Sequence, residues 1–139
     1  MTRTNRMRLL AAAAVTLALI VPSVPASAHH AFAAEFDVNK LITMTGVVTK
    51  VEWTNPHAWL NISVTDAGGA VTVWSLELAS PNGLMRKGWT RNSVKPGDKI
   101  TVMGYEAKDG SKMANTRSVT LSDGRKIFAG SSIDNDPNQ

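Results

Sequence analysis

Cysteine is absent from all 139 residues. That excludes a disulfide framework, a lipidated cysteine start and any thiol ligand for a metal. A long apolar run is missing too. Leu9–Val21 is apolar apart from Thr16, but a membrane-spanning helix needs roughly 20 residues. Pro22 and Pro25 then stop it. Acid is lacking in Met1–Arg8, which carries Arg3, Arg6 and Arg8. A basic start, a short apolar stretch and the small residues Ala26-Ser27-Ala28 together predict a secretory signal over 1–28. There is no twin-arginine pair, which favours the general secretion route. The alternative is an uncleaved membrane anchor.

A surplus of positive charge is also lacking once the leader is removed. The chain has 15 Lys+Arg against 11 Asp+Glu, but the leader takes three arginines and no acid. The 111 residues from His29 onward carry 12 against 11. The pI of about 9.7 thus reflects mostly the leader. No basic patch for nucleic acid is implied. Nor is there a nucleophile motif, a Gly-rich phosphate loop or a spaced carboxylate pair. The expectation is a periplasmic or secreted protein that is not an enzyme and has no membrane span in its mature form.

What remains reads as strands. Ile42–Trp53 is rich in β-branched residues, with Gly46 suggesting a bulge or a bend. Asn55-Pro56 breaks the run before a second strand over His57–Thr65. Asp66-Ala67-Gly68-Gly69 marks a hairpin leading to a third strand, Ala70–Leu78. Ser80 as N-cap and Pro81 at the first position predict a short helix to Lys87, ended by Gly88. Lys99–Tyr105, Met113–Leu121 and the short Arg125–Phe128 follow, after the turns Lys95-Pro96-Gly97-Asp98, Asp109-Gly110-Ser111 and Ser122-Asp123-Gly124. Alternation assigns Val47, Val51, Leu60, Ile62, Val64, Val73, Ile100 and Val102 to the interior.

The predicted fold is all-β. Three strands, a helix and two strands match a five- to six-stranded OB-like Greek-key barrel. The expected layout is leader 1–28, lead-in 29–40, barrel 41–128 and disordered tail 129–139.

Several segments carry a family resemblance. They are His29-His30-Ala31-Phe32, Glu35-Phe36-Asp37, Gly46-Val47-Val48, Trp53-Thr54-Asn55-Pro56-His57, Ser80-Pro81-Asn82, Arg86-Lys87-Gly88-Trp89-Thr90, Lys95-Pro96-Gly97-Asp98 and Ser122-Asp123-Gly124-Arg125. With these, the chain resembles a family of small exported bacterial proteins of unknown function. The resemblance implies export and a β-barrel-like domain. It brings no activity or catalytic residue.

Chemistry therefore rests on three histidines, His29, His30 and His57. A cut after Ala28 makes His29 the first residue, with its α-amine beside its own imidazole. That pair chelates one metal ion; His30 and His57 supply further imidazoles. Amine and imidazole donors in an oxidising compartment suit Cu(II). The alternatives are a solvated start at His29-His30 and a turn-capping or interior His57. Four tryptophans are many for this length. Trp53, Trp59 and Trp89, with Arg86 near the helix end, form a second candidate set for stacking on a ligand, against ordinary packing. The two functional readings are a Cu(II)-binding protein and an adaptor that docks on an envelope protein without a small ligand.

Overall fold

The computed structural model describes residues 28–130, with side chains from residue 32 onward. The leader lies outside these residues apart from Ala28, as does the tail beyond residue 130. Helix α1 is Ala28–Glu35. Strands β1 (Phe36–Glu52), β2 (Trp59–Thr65) and β3 (Val71–Glu77) follow; after helix α2 (Pro81–Arg86) come β4 (Lys99–Ala107), β5 (Met113–Thr120) and β6 (Lys126–Phe128).

β1 is long enough to serve two partners. Residues Leu41–Val47 pair with β4, and Val47–Glu52 pair with β2. β2 pairs with β3, β4 with β5, and a parallel contact between β3 and β5 closes the ring. The ring order β1-β2-β3-β5-β4 is that of the expected Greek-key barrel, and β6 extends it beside β5.

Helix α2 starts as the sequence suggests. Pro81 takes the first position, and the Ser80 hydroxyl accepts from the Gly83 N–H at 3.2 Å. Gly88 then turns the chain at φ 90°, a conformation that an L side chain rarely adopts.

Two interior assignments are corrected. Val47 is 42% exposed, whereas its neighbour Val48 is almost fully buried. The cause is a bulge: Val48 pairs with Ile62 and Lys50 with Asn61, leaving Thr49 as the extra residue. One extra residue moves the alternation by one, so Val48 and Val51 both turn inward. Val73 is 54% exposed. Its strand packs through Trp74 and Leu76, which lie opposite the inward residues Ile62 and Leu60 of β2. Leu60, Ile62, Ile100 and Val102 are interior, as expected.

Both ends of the barrel extend beyond the sequence-based limits. The lead-in is α1 and the start of β1. At the other end Ala129 is fully buried; its N–H donates to the Arg117 carbonyl (2.9 Å), and its carbonyl accepts from the Ala79 N–H (2.8 Å). Ala129 and Gly130 are therefore part of the fold. No helix among the described residues is long and apolar enough to cross a membrane.

Candidate functional site

His57 stands at the entry to β2, after a cis Asn55–Pro56 bond. Its Nδ1 lies 3.0 Å from the Leu78 carbonyl oxygen. A carbonyl only accepts, so Nδ1 carries the proton and donates it. Glu77 Oε1 lies 3.1 Å from the same nitrogen. The only lone pair of the neutral ring is then on Nε2, which has no hydrogen-bond partner among the described residues. The histidine side chain is 37% exposed, so solvent reaches it.

Glu77 is the unusual member. Its side chain is 11% exposed at the end of β3. Burial pushes its carboxyl pKa up from the ordinary 4.5, opposed by His57 and by the Asn115 amide, while Glu35 adds to the rise. The Asn115 amide donates to Glu77 Oε2 at 3.4 Å. Glu77 and Asn115 are register partners across the β3–β5 contact. Sequence reasoning passed over Glu77, although a carboxylate between Leu76 and Leu78 in an apolar strand was the signal available. Asn115 gave no such signal.

A proton-bearing Nδ1 held by a carbonyl and a carboxylate is the arrangement that orients a metal-ligating histidine through its other nitrogen. It is equally able to fix a histidine that binds nothing. The described residues contain no group of three or more His, Cys, Asp or Glu side chains able to hold a metal. His29 and His30 belong to the first turn of α1, and their side chains lie outside the described residues.

The second candidate set is only partly brought together. Trp53, Trp59 and Trp89 line one recess with Val51, Ala58, Leu60, Leu78, Thr90, Arg91 and Val94. It holds about 10 Å³, the space of roughly one water. Trp89 is buried, and its indole N–H donates to the Phe128 carbonyl at 2.7 Å. Arg86 is exposed in the last turn of α2 and does not line the recess. The recess between the tryptophans is too small to admit a ring.

The closed strand order makes the protein an OB-like barrel. By sequence, the chain belongs to the family of unknown function DUF6152, whose model matches residues 16–116. No curated protein matches it. Among solved structures it is similar to the mitochondrial single-stranded DNA binding protein Rim1 of S. cerevisiae. The two share 13% identity over 68% of this chain and 98% of that one, with a TM-score of 0.46.

Proposed function

We propose that the protein is an exported, non-catalytic binding protein of the bacterial periplasm that takes one Cu(II) ion. The ligands are the amine and imidazole of His29, with His57 Nε2 and His30 completing the set. The observation that supports this reading best is the state of His57. Its Nδ1 proton is committed to the Leu78 carbonyl, a buried carboxylate stands behind it, and its side chain is 37% exposed. Neutral imidazole and amine donors place Cu(II) ahead of Zn(II).

Titration of His57→Ala with Cu(II) tests the assignment. Loss of one imidazole should weaken binding at least about tenfold, on the scale found when a metal site loses even a supporting group. Unchanged affinity in a folded variant would remove His57 from the site. An envelope adaptor without a small ligand is the other reading. Purified periplasmic protein that binds no copper would favour it.

A further inference from the structure

β1 has one edge that the barrel does not use. The Val48 N–H donates to the Asp98 carbonyl at 2.9 Å, and the Val48 carbonyl accepts from the Gly97 N–H at 2.8 Å, so its peptide groups face the start of β4. Backbone groups alternate between the two edges of a strand. Ile42, Met44 and Gly46 therefore face β4 as well, and Leu41, Thr43 and Thr45 face the opposite edge. β2 fills that edge only from Val47, which pairs with Ser63. Beyond Thr65 the chain bonds to itself: the Asp66 N–H donates to the Ala70 carbonyl at 3.0 Å and the Gly69 N–H to the Asp66 carbonyl at 3.1 Å. Among the described residues, no loop group bonds the backbone of Leu41, Thr43 or Thr45.

Open edges are usually guarded by lysine, proline or a bulge. Leu41-Ile42-Thr43-Met44-Thr45 contains no charge and no proline, and both irregularities of β1 fall outside it. Its apolar side chains are also incompletely covered. Leu41 is 48% exposed on the outer face, and Ile42 and Met44, which face the interior, are only partly buried there. Val47 and Val73 continue the exposed outer surface in one row through Ser63. An uncharged strand edge with apolar surface on both faces is suited to another strand of the same kind.

We propose that this edge docks a second copy of the chain, the two β1 strands pairing antiparallel about a two-fold axis at Thr43. In that register Thr43 faces Thr43, Leu41 faces Thr45 and Ile42 faces Met44. The three residues with outward peptide groups form the closely bonded pairs, which adds about six backbone hydrogen bonds. The charges are compatible, since Lys40 falls opposite Gly46 and no like charges meet. So short an edge buries less than the ~1,600 Å² of a standard interface, so the dimer is weak and forms at high protein concentration. The surface is independent of the copper reading.

The test is sedimentation equilibrium of metal-free mature protein, purified from the periplasm, over a dilution series up to about 1 mM. The mass should rise with concentration from one chain towards two. Thr43 is exposed and meets its own copy, so Thr43→Lys and Thr43→Glu each place like charges together without touching the barrel interior. Each should weaken the dimer at least about tenfold, with the circular dichroism spectrum of the fold unchanged. Mixing the two variants should restore dimers, because Lys then faces Glu. Thr43→Pro, which removes an outward N–H and leaves the β4 ladder whole, should also abolish dimers. A chain that stays monomeric throughout the series, or a dimer that all three variants retain, would overturn the proposal. Charge variants that weaken the dimer alone but do not pair when mixed would overturn the register about Thr43.

Discussion

Val47 and Val48 are adjacent in β1 and chemically identical; alternation turns them to opposite faces, and the bulge at Thr49 puts Val48 on the inward face with Val51. Val48 is 1% exposed and Val47 is 42% exposed. Truncating either valine to alanine removes two carbons and lowers strand propensity. The propensity loss, up to ~1 kcal/mol, is common to both and cancels in the comparison. At the buried position the transfer loss is about 1.6 kcal/mol, and the cavity left behind raises it to about 2. At the exposed position the same loss falls below about 1 kcal/mol. The difference should therefore exceed about 1 kcal/mol, and each kcal/mol moves the midpoint of a domain this size by ~4–8 °C. Thermal unfolding followed by circular dichroism should place Val48→Ala at least ~4 °C below Val47→Ala. Equal melting points, or the reverse order, would refute the bulge and the inward face it assigns to β1.

Glu77→Gln should change the pH dependence of stability in metal-free protein. The folded state holds the Glu77 proton more tightly than the unfolded chain. Its favourable contribution is thus full below the unfolded value near 4.5 and is lost as pH rises through the raised folded value. Wild type should therefore lose melting temperature relative to Glu77→Gln between acid and neutral pH; a gap that does not grow with pH would contradict the burial argument. Truncation after Gly130 should leave the melting temperature unchanged, whereas truncation after Phe128 should lower it, because it strips the Ala79 N–H of its partner and empties the Ala129 site.

The barrel was legible because local chemistry marks its joints. Asp66–Gly69, Lys95–Asp98 and Ser122–Gly124 are turns in sequence and in space, and Ser80-Pro81 announces the helix that separates β3 from β4. Period-two alternation then gave Leu60, Ile62, Ile100 and Val102 correctly. It failed where an extra residue enters a strand, since nothing local distinguishes Thr49 from its neighbours. It failed again at Val73, where both faces of β3 carry apolar residues and only the pairing with β2 decides between them. The site was half legible. His57 stood out by type and by its Asn-Pro setting, but Glu77 reaches it across the β2–β3 pairing and Asn115 reaches Glu77 through the β3–β5 pairing, a long-range contact. Trp53, Trp59 and Trp89 do gather, yet aromatic count could not tell packing from a binding surface.

The proposed copper site requires a mature chain that starts at His29 and chelates the ion there with a free amine. The direct measurement compares Cu(II) affinity of protein processed in the periplasm with that of cytoplasmic protein carrying the extension Met-Gly-Ser-Gly-Ser before His29. Every side chain from His29 onward is the same in the two forms, and the amine of the extended form lies five residues before His29. Intact mass should first show that the periplasmic form lacks residues 1–28. The processed form should bind one Cu(II) per chain, tighter than Zn(II), with binding that weakens in acid as protons compete for the nitrogen ligands. The extended form should bind markedly more weakly. Equal affinity in the two forms, or a mature chain that starts elsewhere than His29, would contradict the account.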